Sequence, residues 1–128
     1  MKFKKTDKCD RVNATYLVMT SNFGNVISEE NKRKIVGVTL SRLGCKGENE
    51  YGECVPDFLI FDPNFQSQSP SIEKEEDEGR SLHIGFPGLE RKVYAKLDDY
   101  RSKETLSENV GHHVNTQFLT TIMLAEDY

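Results

Sequence analysis

The stretch that most constrains this chain is Val114 to Leu124, V-N-T-Q-F-L-T-T-I-M-L. It is long and rich in apolar residues, and it holds no Pro, Gly or charge. Phe118, Thr120, Ile122 and Leu124 alternate with Leu119, Thr121 and Met123, and Thr, Ile and Phe suit a pleated surface. Both sets are apolar or threonine, so the spacing predicts a strand covered on both faces or nearly so. A helix is the competing reading, because Val110, Val114, Phe118 and Ile122 stand four apart. Gly111 and the paired threonines count against it. An uncharged run of this kind is hazardous on an exposed edge, which places it inside a sheet or under a helix. The acidic end, Ala125 to Tyr128, keeps that terminus polar.

Other segments assemble around it. Residues 1 to 13 are basic and read as a loose arm or short edge strand. Ala14 to Ser21 is rich in β-formers and predicts a strand. Asn22 to Asn25 (N-F-G-N) reads as a turn. Ser28 to Gly44 carries two conflicting signals. Its ends suit a helix: Ser28 to cap, Glu29 and Glu30 in the first turn, Arg42 in the last, Gly44 to stop it. Its middle suits a strand, with Ile35, Val36, Val38 and Thr39 β-branched and Gly37 costing about 1 kcal/mol in a helix. We favour a strand over Lys34 to Leu43. Cys45 to Pro56 reads as a loop, and Asp57 to Phe61 as a short buried strand.

Asn64 to Gly79 has the composition of a mobile loop: Pro, Ser and Gln, then the acidic run Glu73-Lys74-Glu75-Glu76-Asp77-Glu78. Ser81 to Phe86 alternates and reads as a strand. Leu89, Val93, Leu97 and Tyr100 follow helical spacing, which predicts a helix over Leu89 to Arg101, with a strand through Val93, Ala95 and Leu97 as runner-up. Glu104 to Asn109 reads as a polar connection. The expected architecture is α+β, an antiparallel sheet of about five strands with one helix over a face. A small β-sandwich or barrel is the alternative if Leu89 to Arg101 is extended.

At 128 residues the chain suits one compact domain. No run approaches the roughly 18 apolar residues of a membrane helix. The basic start lacks an apolar h-region, so the expectation is a cytoplasmic protein with reduced cysteines. Cys9, Cys45 and Cys54 lack zinc-knuckle or redox spacing. In an oxidising compartment Cys45 and Cys54, flanking one loop, are the candidate pair.

The sequence lacks a P-loop, G-x-G-x-x-G, H-E-x-x-H, G-x-S-x-G and an EF-hand loop. His112-His113 is the most suggestive pair for an enzyme or metal reading. Neighbouring side chains on a strand point to opposite faces, so there they do not chelate together, and surface imidazoles are the plainer reading. His83 sits between Leu82 and Ile84 and is expected on the solvent face. No spacing calls for a metal or cofactor.

Charge is laid out unevenly. Up to residue 46, Lys2, Lys4, Lys5, Lys8, Arg11, Lys32, Arg33, Lys34, Arg42 and Lys46 outnumber Asp7, Asp10, Glu29 and Glu30; beyond it acids dominate, to a net charge of -4. One expectation is a non-enzymatic binding protein, such as an inhibitor, an immunity-type antidote or a phage or mobile-element accessory protein. It would meet a basic partner through Glu73, Glu75, Glu76, Asp77 and Glu78. Another is a small hydrolase or metal-dependent enzyme using His112 or His113. A third is nucleic-acid binding through the basic N-terminal segment, with Phe3, Tyr16 and Phe23 for stacking. A solvated surface that merely confers solubility competes with all three.

Overall fold

The computed structural model describes residues 3–65 and 73–128. In chain order its elements are α1 (Asp7–Asp10), β1 (Tyr16–Met19), α2 (Ser21–Val26), α3 (Glu29–Arg42), β2 (Gly47–Glu48), β3 (Cys54–Val55), β4 (Phe58–Asp62), β5 (Glu73–Glu76), β6 (Ser81–Gly85), β7 (Val93–Asp99), α4 (Lys103–Val110) and β8 (Phe118–Leu124). Six strands form one sheet in the order β1-β8-β7-β4-β6-β5, while β2 and β3 make a small hairpin. The class is α+β, as expected. The sheet, however, is mixed: β1 runs parallel to β8 and β4 parallel to β6, with the remaining pairs antiparallel. Its two outer strands do not meet, so it is not a closed barrel.

β8 lies between β1 and β7, inside the sheet, as its lack of charge requires. Phe118, Thr120, Ile122 and Leu124 point to one face, joined by Val93, Ala95 and Leu97 from β7, Leu59 and Phe61 from β4, and Leu82 and Ile84 from β6. Phe23 of α2, Ile35 of α3, Val12, Ile27 and Leu43 complete this core. Each such side chain taken fully from water contributes roughly 1.5–3 kcal/mol. Thr120 is buried among them because its hydroxyl meets that of Thr15 at 2.8 Å.

Several expectations are corrected. The segment expected as a strand over Lys34 to Leu43 is helix as far as Arg42, with Leu43 its extended C-cap. The Ser28 hydroxyl accepts from the Asn31 N–H at 3.3 Å, Glu29 and Glu30 occupy the first turn, and Leu43 N–H closes the last turn on Thr39 O at 3.1 Å. The β-branched residues of its middle are its inward side: Ile35 and Thr39 are fully buried, and Val36 and Val38 pack against the core. Leu89 to Arg101 is the reverse case. Its core is the strand β7, whose seven residues all pair with β8. The turn expected at Asn22 to Asn25 is inside α2, capped by the Thr20 hydroxyl. The connection at Glu104 to Asn109 is the helix α4, capped by Ser102 and ended by Gly111 at φ 83°.

The loop expected over 64–79 is corrected where it is described. Glu73–Glu76 pairs with β6, and Asp77–Gly79 is a single tight turn with positive φ throughout; residues 66–72 lie outside the described part. The basic N-terminal segment is likewise not a loose arm, since it contains α1 and Lys4 bridges to Glu48. The cysteine expectation also fails. Cys9 and Cys54 form a disulfide, with Cα atoms 5.5 Å apart, and Cys45 is the free thiol. Among the described residues no helix is long and apolar enough to cross a membrane.

Candidate functional site

The acidic run occupies one edge of the sheet. β5 pairs antiparallel with β6, with Lys74 opposite His83 and Glu76 opposite Ser81. Asp57 and Phe58 donate to Arg80 O, and Phe86 donates to Asp62 O, so alternate β6 residues from Arg80 to Phe86 turn their backbone groups to β4. Ser81 and His83 therefore turn theirs to β5. The alternation leaves the backbone N–H and C=O of Glu73 and Glu75 directed away from the sheet.

The side chains differ in how far they are committed. Glu75 lies beside the Lys46 ammonium, which also sits 5.5 Å from the centroid of the Phe3 ring. Glu76 lies 4.0 Å from Lys74 and 4.0 Å from His83 Nδ1. Asp77 and Glu78 follow in the turn, both exposed and both left-handed, at φ 55° and 57°. Two successive non-glycine residues in this region are uncommon, and together they re-aim the chain before Gly79. Of the five residues expected at a partner surface, Asp77 and Glu78 are exposed in the turn, Glu76 is exposed beside His83, Glu75 is paired with Lys46, and Glu73 contributes its outward backbone.

The second face of the sheet, opposite the core, adjoins this edge. Phe58, Ile60, His83, Tyr94 and Lys96 lie on it, each only partly buried. Phe58, Tyr94 and Tyr128 form an aromatic trio with centroids 5.0–5.7 Å apart. A shallow cleft of about 370 Å³ beside them is lined by Phe58, Asp77, Arg80, Lys96, Asp98 and Tyr128, among others. Arg80 holds its rim. Its guanidinium binds Glu53 and, at 3.0 Å, Asp57. The Glu53 bond chiefly holds the Arg80 proton on, and Arg80 in turn holds the Glu53 carboxyl below its usual range. Asp57 is displaced the other way, upward, because burial outweighs its attraction to Arg80.

His83 lies on the face away from the core, as its place between Leu82 and Ile84 predicts, but its imidazole is engaged there. Its Nε2 lies 2.9 Å from Asp62 Oδ2, and its ring stacks on Phe65 with centroids 4.3 Å apart. This pairing was invisible in sequence, since it depends on β4 and β6 being neighbours. An imidazole oriented by a carboxylate is a common acid–base arrangement. Here both ring nitrogens face carboxylates, Asp62 and Glu76, so neither is directed at a third group.

The other candidates are dispersed. His112 Nε2 meets the Tyr16 hydroxyl at 3.0 Å, and His113 Nε2 meets the Asn115 side chain at 2.9 Å; both residues are exposed and neither ring is oriented by a carboxylate. No group of three or more His, Cys, Asp or Glu suited to a metal ion occurs among the described residues. Several cations of the basic N-terminal half are paired with acids. Lys8 lies within 4 Å of Glu48 and Asp99, Lys32 and Lys34 pair with Glu29 and Glu30, and Lys46 pairs with Glu75. Phe23 is fully buried and offers no stacking face. No protein-family model matches the chain, and no match is found among curated proteins or among solved structures.

Proposed function

We propose that this protein is a non-enzymatic binding module that takes a basic segment of a partner protein along β5 and the turn after it. The observation that carries the reading is the position of the acidic run: it forms a sheet edge with outward backbone groups, continued by Asp77 and Glu78. An extended basic segment added there gains backbone hydrogen bonds from Glu73 and Glu75, and its cations meet Glu76, Asp77 and Glu78. An inhibitor or antidote that covers a basic active site fits this mode. Exposed pairs are individually worth about 0.2–1 kcal/mol, so the charges act mainly on association rate and salt dependence.

The test uses an immobilised peptide of alternating Lys and Val as the basic strand. Asp77→Asn with Glu78→Gln keeps size and removes both charges. The expected result is roughly tenfold weaker binding, consistent with about 1.4 kcal/mol, and a shallower salt dependence. Equal affinity and equal salt dependence for the two proteins reject the reading.

A further inference from the structure

The two outer strands of the sheet are guarded very differently. β5 carries Glu73, Lys74, Glu75 and Glu76. β1 reads Tyr16-Leu17-Val18-Met19, with neither charge nor proline, the usual devices that keep a free edge from pairing. Of the five large apolar side chains left exposed among the described residues, three belong to this corner: Val18 at 37%, Met19 at 47% and Val26 at 40%.

The occupied backbone groups of β1 follow from its pairing. Thr20 N–H donates to Ile122 O at 3.0 Å, continuing the parallel register in which Tyr16 faces Leu119 and Val18 faces Thr121. Alternate residues of a strand turn to the same neighbour, so Tyr16, Val18 and Thr20 turn to β8. The N–H and C=O groups of Leu17 and Met19 point away from the sheet.

We propose that β1 pairs antiparallel with β1 of a second copy of this chain, about a two-fold axis through Val18. Leu17 then faces Met19 of the second copy, and Met19 faces its Leu17. Each pair exchanges two hydrogen bonds, so all four outward groups are satisfied. The two Val18 residues meet as a non-hydrogen-bonded pair, with Cα atoms about 4.5 Å apart. The two sheets become one continuous sheet.

Charge and symmetry select a second copy as the occupant. β1 against β1 brings uncharged residues together along the whole strand. β5 against β5 opposes like charges. β1 against β5 sets Val18 and Met19 beside carboxylates, and as a head-to-tail contact it extends without closing. The β1 contact is self-complementary and closes at two chains. Four residues a side bury less than the roughly 1,000 Å² of a stable interface, so the dimer forms only as concentration rises.

The test is sedimentation equilibrium of the full chain from about 10 µM to about 1 mM, with amide hydrogen exchange at both ends of that range. The expected mass rises toward that of two chains. Exchange at Leu17 and Met19 slows with concentration, while Val18 is protected throughout. Val18→Lys puts two like charges on the axis and is expected to weaken association at least tenfold with an unchanged far-ultraviolet spectrum. The mass of one chain at every concentration overturns the proposal. So does association that survives Val18→Lys with Leu17 and Met19 still exchanging freely, since it then uses another surface.

Discussion

Asp62 shows how a nearly buried carboxylate stays charged on a sheet face. Burial pushes its pKa up, but the Asn64 N–H at 2.8 Å, the His83 ring at 2.9 Å and the charge of Lys92 outweigh that push and hold it below the ordinary value. A carboxyl depressed by folding stabilises the fold above its unfolded pKa, about 3.9. That contribution is lost as pH falls through the lower folded value. Asp62→Asn keeps an acceptor for Asn64 but removes the charge facing His83. It is expected to destabilise by about 1–2 kcal/mol at pH 7, with the gap to the parent narrowing below about pH 4. Urea midpoints at pH 7 and pH 3 check this; a gap of the same size at both would mean that the charge is not what matters. Asp57 carries the opposite sign. Burial raises its pKa despite Arg80, so its contribution is complete below its unfolded pKa and is lost as pH rises through the folded value.

Among the elements, α3 shows that capping can outweigh propensity. Both signals were present in the sequence. The caps named the ends of the helix, while Ile35, Val36, Val38 and Thr39 suggested a strand. Intrinsic propensity is a weak prior, and burial of that same β-branched side reverses it. Gly37 is the residual weakness. It is exposed, and a Cβ built on it meets nothing within 4 Å. Gly37→Ala is therefore expected to stabilise the protein by about 0.8–1 kcal/mol. The thermal midpoint should rise by about 3–5 °C; an unchanged or lower midpoint would show that the glycine is needed. β4, β6 and β8 were legible for different reasons: β4 is a short apolar run ended by Asp62-Pro63, β6 alternates, and in β8 Gly111 and the paired threonines counted against the helical spacing. β7 was not, since Val93 and Leu97 satisfy both periods and only the pairing with β8 decides between them. α4 buries a single residue, Leu106, and so left no periodic trace. The same limit applies to the candidate site. The acidic residues were identifiable from composition, but Glu is a poor strand former, and it is pairing with β6 that makes Glu73–Glu76 an edge.

At the scale of the whole molecule, the Cys9–Cys54 disulfide ties the N-terminal segment to the β2–β3 hairpin across a sequence separation of 45 residues. Neither spacing nor periodicity could name this pair, since the contact is purely tertiary. Around it the segment is held by further links: Lys4 N–H to Glu48 O at 2.9 Å, Lys8 Nζ to Gly52 O at 2.6 Å, and the Thr6 hydroxyl to Glu48 at 3.0 Å. No strand of the six-stranded sheet carries a bridging cysteine, so its ladders do not depend on the bond. Closing a loop of this length removes chain entropy from the unfolded state worth about 4 kcal/mol. Reduction is therefore expected to lower unfolding stability by up to about 4 kcal/mol while the sheet persists at neutral pH. Loosening should be confined to Phe3–Asp10 and the hairpin, seen as faster exchange of the Lys4 and Glu48 amides beside unchanged exchange in β7 and β8. Alkylation of the oxidised, denatured chain should label Cys45 alone, and alkylation after reduction should label all three cysteines. Labelling of Cys9 without reduction, or sheet amides that exchange as fast as those of the hairpin once reduced, would refute this account of how the two parts are joined.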